Sequence, residues 1–110
     1  MQIDIHAKNI DLNQPLRTFI EEKMSDLEHL MGGVGATQAR IEVGVPSHHH
    51  QSGPIYYCEI NLTVGGHLLR GQAENYDLHS AIVDVKDEMK VQIKKFKEKL
   101  QDKDRQPTEQ

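Results

Sequence analysis

Six lysines crowd the last third of the chain, and their type and spacing suggest chemistry more directly than any other residues do. They are Lys86, Lys90, Lys94, Lys95, Lys97 and Lys99. Ammonium groups gathered on one surface attract phosphates, so the pattern favours binding of a polyanion such as RNA. Exposed lysines also serve simply to keep a helix soluble or to pair with acids one turn away. Composition alone leaves both interpretations open.

The lysines lie on a segment whose apolar residues have the spacing of an amphipathic helix. From residue 77 to residue 100 these apolar residues recur every three or four positions, at Leu78, Ile82, Val85, Met89, Ile93, Phe96 and Leu100. This spacing predicts one helix with a single buried face. We expect the helix to pack that face on a sheet and to turn one basic side to solvent.

The distribution of charge supports this expectation, although the total charge does not. The chain has 110 residues and a formal net charge of −4. Residues 1–85 hold five basic side chains against eleven carboxylates, whereas residues 86–110 hold eight against six. Electrostatic attraction reaches about one Debye length, roughly 8–10 Å at moderate salt. A local basic stripe can therefore attract phosphate on a protein that is acidic overall.

Three adjacent histidines, His48, His49 and His50, raise the question of a metal site. Contiguous ligands do not easily surround a zinc ion, because zinc sites space their ligands and orient each one through a further hydrogen bond. We therefore favour a solvated loop, and we expect neither a bound metal nor a cofactor.

Catalytic chemistry has little support in the sequence. A nucleophilic cysteine needs a lowered pKa and access to solvent, but the lone cysteine, Cys58, falls on an inward-facing strand position. No glycine-rich phosphate loop follows a strand and opens a helix, and no carboxylate pair stands out. We expect a protein that is not an enzyme. The single cysteine also fits a reducing cytoplasm.

The remaining residues predict a sheet and a second helix. Alternating apolar positions predict strands around residues 3–7, 39–45, 56–64 and 69–73, with a tight turn at Gly65 and Gly66. Asn13 and Pro15 mark the start of a helix after the first strand, and Gly32 marks its end. The apolar ladder of this helix is Leu16, Ile20, Met24 (or the stem of Lys23), Leu27 and Met31. The order β-α-β-β-β-α predicts an α+β fold in which two helices cover one face of a four-stranded, mainly antiparallel sheet.

Length and composition indicate one domain. Residues 1–100 should form it, and residues 101–110, rich in charges and amides, should form a disordered tail. No run approaches the roughly 20 apolar residues of a membrane span, so we expect a soluble protein without a membrane partner.

A resemblance to a known family rests on the last helix and the residues that enter it. The chain is similar there to the ribosome hibernation promoting factor and ribosome-associated inhibitor family, also called the sigma-54 modulation protein family. Members typically show an Asp-hydrophobic-Tyr-x-Ala-Ile run before a last helix that ends in spaced lysines. The corresponding residues here, with His79 in place of the usual tyrosine, are Asp77, Leu78, His79, Ser80, Ala81, Ile82, Gln92, Lys95, Lys97, Lys99 and Leu100. The helix entry at residues 13–20, the strand at residues 60–64 and the element order also match, so the resemblance covers roughly residues 1–100.

The resemblance implies a cytoplasmic translation inhibitor of dormancy or stress. Family members lodge in the small ribosomal subunit across the channel for mRNA and the A-site and P-site tRNAs, and they contact mainly 16S rRNA. The implied mechanism is occlusion, with no DNA partner. The six lysines would contact the rRNA, and Lys95, Lys97 and Lys99 match the family's spaced lysines best.

Two further expectations follow from this resemblance. Long members add a second domain that joins two ribosomes, and this chain resembles the short forms, which suggests a monomer when free. An alternative is a stress-regulatory protein-interaction module that keeps the fold but has lost rRNA binding, with possible metal binding through His48–His50. Glu88 and Val91, where relatives often carry a basic residue, favour this alternative.

Overall fold

The computed structural model describes residues 1–46 and 55–105. Its strands and helices follow the predicted order. The elements are β1 (Gln2–Lys8), α1 (Gln14–Met31), a short 3-10 turn (Gly32–Val34), β2 (Ala36–Gly44), β3 (Tyr56–Val64), β4 (His67–Asn75) and α2 (Leu78–Arg105). The three histidines singled out above lie outside the described residues.

The four strands form one sheet in the order β1-β2-β3-β4. The pairs β2–β3 and β3–β4 are antiparallel, whereas β1 and β2 are parallel because α1 carries the chain back between them. The mainly antiparallel sheet predicted from the sequence is therefore confirmed, with one parallel pair at an edge. One row across the sheet consists of Ile5, Ile41, Ile60 and Gly71.

Helix α1 begins and ends where its sequence predicts. The side chain of Asn13 accepts a hydrogen bond from the backbone N–H of Leu16 at 2.9 Å, which satisfies one of the free donors of the first turn. Gly32 follows the last residue with a φ of 59°, a conformation that favours glycine. The buried residues of the helix are the predicted apolar ladder, Leu16, Ile20, Met24, Leu27 and Met31.

The core lies between the helix layer and one face of the sheet. Helix α2 buries Ala81, Ile82, Val85, Met89 and Ile93, and each of these is at most 1% exposed. Gly71 gives α2 room to approach β4, because a Cβ added there would lie 2.9 Å from the sulfur of Met89. Among the described residues, no polar or charged side chain is buried.

Helix α2 runs further than the apolar ladder that predicts it. The ladder stops at Leu100, but the helix continues to Arg105. The extra residues contain no glycine or proline, the two residue types that disfavour a helix most. At the other end, Asp77 caps the helix by accepting a hydrogen bond from the backbone N–H of Ser80 at 2.9 Å. In the described part of the chain, no helix is long and apolar enough to cross a membrane.

Candidate nucleic-acid interface

The six lysines of α2 fall into two rows on different sides of the helix. A residue of an α-helix is rotated by about 100° from the one before it, so positions three or four apart align. Lys86, Lys90, Lys94 and Lys97 have this spacing and form a first row, and Lys95 and Lys99 form a second. We call them the α1-side row and the β4-side row after the elements that they approach.

Two contacts fix the α1-side row against helix α1. The Nζ of Lys86 lies 3.0 Å from Oδ2 of Asp26, and the Lys86 side chain is 17% exposed. The hydrogen bond from Lys86 holds the pKa of the Asp26 carboxyl below its ordinary value. The Nζ of Lys97 donates to the backbone oxygen of Leu30 at 2.9 Å, near the end of α1. Both lysines thus join the two helices.

The β4-side row approaches the sheet without such contacts. The side chain that joins α2 to β4 is neutral, because Nε2 of Gln92 donates to the backbone oxygen of Arg70. Lys95 and Lys99 are exposed. Together with Lys90 and Lys94 they make four exposed lysines, and within the described residues none of the four has a hydrogen bond or an ion pair. Unpaired ammonium groups remain available to phosphates.

Carboxylates lie beside both rows, but more of them lie beside the α1-side row. On the β4 side the exposed Glu88 accepts a hydrogen bond from Gln92 at 3.3 Å. Three lysines of the α1-side row, Lys90, Lys94 and Lys97, line an open hollow of about 670 Å³ next to Leu30, together with Asp87 and Glu98. The outer side of α1 adds further exposed carboxylates, at Glu21, Glu22 and Glu28. The potential that favours phosphate is therefore weaker on the α1 side of the helix than the lysine count suggests.

The uncovered face of the sheet carries paired charges. Arg70 forms an ion pair with Glu59, and the hydroxyl of Tyr57 donates to Glu42 at 2.7 Å. Burial and this hydrogen bond raise the pKa of the Tyr57 hydroxyl, so it stays protonated well above neutral pH. Because acids and bases alternate and pair here, this face offers less attraction to a polyanion than α2 does.

The structure also locates the lone cysteine. Cys58 is fully buried in β3, and burial raises the pKa of its thiol to about 12. Such a thiol is a poor nucleophile because almost none of it is ionised at neutral pH. In residues 1–46 and 55–105, no group of three or more histidine, cysteine or carboxylate side chains could hold a metal ion.

Sequence reasoning missed a second feature on the β4 side of α2, at the hairpin between β3 and β4. A hollow of about 360 Å³ opens there beside Lys99. We call it the hairpin hollow; its lining residues are His67, Leu68, Leu69, Phe96, Lys99 and Leu100. Leu68 is 63% exposed although it is apolar. The signal in the sequence is Leu68 itself, which is apolar at a position where the alternation of β4 points to solvent.

A sequence profile now identifies the class of protein. The profile of the Sigma 54 modulation protein / S30EA ribosomal protein family matches residues 3–101, and the chain belongs to that family. The resemblance drawn from the last helix is thereby confirmed.

Individual relatives carry names connected with the ribosome. The chain is 26% identical over 98 residues to a ribosome hibernation promotion factor of Deinococcus radiodurans, covering 88% of this chain and 50% of that protein. It is 28% identical over 101 residues to a ribosome hibernation promoting factor of Pseudomonas putida, covering 92% and 91% respectively. The chain therefore spans about half the length of the first relative and most of the second.

Two solved structures share the fold. The N-terminal domain of Protein Y from Thermus thermophilus gives a TM-score of 0.72 at 22% identity, covering 87% of this chain and 99% of that one. A ribosomal subunit interface protein from Coxiella burnetii gives a TM-score of 0.71 at 18% identity, covering 88% and 98%. At these identities the likeness establishes the fold, which agrees with the α+β architecture described above.

Proposed function

We propose that this protein binds the ribosome and inhibits translation during dormancy or stress. The observation that carries the proposal is the family match over residues 3–101, together with four exposed lysines on the last helix. The names of the Deinococcus and Pseudomonas relatives support the same role. The protein would act in the cytoplasm as a monomer, and it would act by occupying a site, without catalysis.

The small subunit is the proposed partner, and 16S rRNA is the proposed surface. A compact domain lodged in the channel for mRNA and the A-site and P-site tRNAs would exclude both. Such binding needs shape and contacts to the phosphate backbone, and it needs no reading of base sequence. Lysines on a rigid helix suit this task, because the helix fixes their spacing before binding.

We divide the six candidate lysines by the contacts that they make. Lys90, Lys94, Lys95 and Lys99 are the proposed phosphate contacts. Lys86 and Lys97 are joined to α1, so we assign them to holding the two helices together. The acidic outer side of α1 would face away from the rRNA, since carboxylates repel phosphates. The domain would then approach the rRNA with the β4 side of α2 leading.

Co-sedimentation with vacant ribosomes and with separated subunits tests this proposal. At near-physiological salt, we expect stoichiometric migration with the small subunit. Affinity should fall steeply as salt rises, because each lysine-to-phosphate contact releases counterions. Folded protein that stays at the top of the gradient would refute the proposal. It would favour the alternative of a protein-interaction module, to be tested by capture of protein partners and by metal titration of the histidine segment.

A further inference from the structure

The hairpin hollow combines an apolar floor with an aromatic wall. Leu69, Phe96 and Leu100 are each half-buried, and their remaining exposed surface lines the hollow. The rings of His67 and Phe96 meet edge to face, with centroids 5.3 Å apart. This contact holds the His67 ring in place beside the opening. The hollow is thus a preformed site for a flat or apolar group.

The rim of the hollow adds the charge that selects a ligand. Lys99 lines the hollow, and Lys95 lies one turn earlier on the same side of α2. The turn next to the hollow consists of Gly65 and Gly66. Both are exposed, and a Cβ added at either would meet open space. A polymer backbone can therefore come close to the hairpin. A ligand with a flat ring attached to an anionic backbone matches both the floor and the rim.

We infer that the hairpin hollow receives one unstacked base of a ribosomal RNA, while Lys99 and Lys95 contact the adjoining phosphates. The inference rests on the proposed function and adds a base contact to it. Proteins that bind RNA commonly hold splayed bases against aromatic side chains. The base would lie against His67 and Leu68, and the exposure of Leu68 would end on binding.

The structure favours a base over an added peptide strand. β4 is an edge strand, and a peptide could in principle pair with it. However, Gln92 already donates to the Arg70 backbone oxygen, and α2 packs along β4. The backbone N–H and C=O groups of every second residue in a strand point to the same edge. On the hairpin side of Arg70, only Leu68 therefore keeps free backbone groups at the edge. Strands usually pair over at least three residues. The free part of the edge is therefore too short to pair with a peptide.

Binding of two matched variants to the small subunit tests the inference. Leu68→Ser removes apolar surface from the hollow, and Tyr76→Ser is the control, because Leu68 and Tyr76 are each 63% exposed. We expect Leu68→Ser to weaken binding about tenfold, as for the loss of part of the apolar surface that one leucine side chain buries. The dependence on salt should keep its slope because no charge is lost. Tyr76→Ser should bind like the unmodified protein, and thermal unfolding should show that both variants fold.

The outcomes separate the hollow from the proposed function. Normal binding by Leu68→Ser would overturn the inference while the proposed function stands. An unmodified protein that does not bind the subunit would overturn both. A photoreactive benzophenone side chain placed at Leu68 identifies the occupant. Cross-links to rRNA support the inference, whereas cross-links only to a ribosomal protein, or to a second copy of this chain, would overturn it.

Discussion

The two sides of helix α2 carry the same residue type and use it differently. On the α1 side, Lys86 and Lys97 contact Asp26 and the Leu30 backbone oxygen, so their charges help to join two helices. On the β4 side, a neutral amide makes the corresponding connection, and Lys95 and Lys99 remain exposed. The comparison shows that the role of a lysine depends on what the neighbouring element offers within reach of its side chain.

The largest expected effect comes from reversing the charge of the β4-side row. Lys95→Glu together with Lys99→Glu should weaken binding to the small subunit by about a hundredfold or more, because two counterion-releasing contacts become repulsive. Both side chains are exposed, so the free energy of unfolding, measured by thermal unfolding, should stay within about 0.5 kcal/mol of that of the unmodified protein. Sedimentation at several salt concentrations measures the loss of affinity.

A matched pair on the other side of the helix sharpens this result. Lys90→Glu with Lys94→Glu changes the same charge on a surface that is also exposed, but Asp87 and Glu98 already offset the potential there. We expect a smaller loss, about tenfold. Equal losses from both pairs would mean that the two sides contact rRNA alike. A larger loss from the α1-side pair would reverse the proposed orientation of the domain.

The contrast between the two sides also explains how much of the structure could be predicted from the sequence. The apolar ladders of α1 and α2 and the glycine turn at Gly65 and Gly66 are local patterns, and the structure confirms each of them. The grouping of the lysines depends on partners distant in sequence. Asp26 is 60 residues from Lys86, and Leu30 is 67 residues from Lys97. No local pattern reveals such contacts. The sequence therefore shows which residues are basic, but it does not predict which of them form a hydrogen bond or an ion pair.

Removing the Lys97 contact should have a moderate effect on stability and little on binding. Lys97→Met keeps most of the side-chain stem but leaves the Leu30 backbone oxygen without its charged donor. We expect a loss of about 1.5–3 kcal/mol in the free energy of unfolding, as for hydrogen bonds to charged groups. Lys94→Met is the control, since Lys94 is exposed and has no such bond within the described residues. Urea unfolding compares the two, and equal losses would show that the Lys97 contact does not stabilise the helix pair.

The smallest expected effect is a shift in the titration of Asp26. Its pKa is lowered chiefly by the hydrogen bond from Lys86, so Lys86→Met should raise it toward the ordinary value of a carboxyl group. A carboxyl whose pKa is lowered by folding contributes stability above its unfolded pKa, and that contribution disappears as the pH falls through the folded pKa. The unmodified protein should therefore lose this contribution in acid, below about pH 4, whereas the variant should lack most of it at every pH, because Lys23 and His29 still lower the pKa.

NMR titration of the carboxyl groups measures this shift and supplies its own reference. The pKa of Asp77 is lowered by hydrogen bonds from Ser80 at the start of α2, and Lys86 is not among its causes. The pKa of Asp77 should therefore stay unchanged in Lys86→Met, while the pKa of Asp26 rises. An Asp26 pKa that does not move would show that the two groups are separated in solution. Lys86 would then belong with the free lysines, and the α1 side of the helix would offer rRNA one more cation than we assign to it.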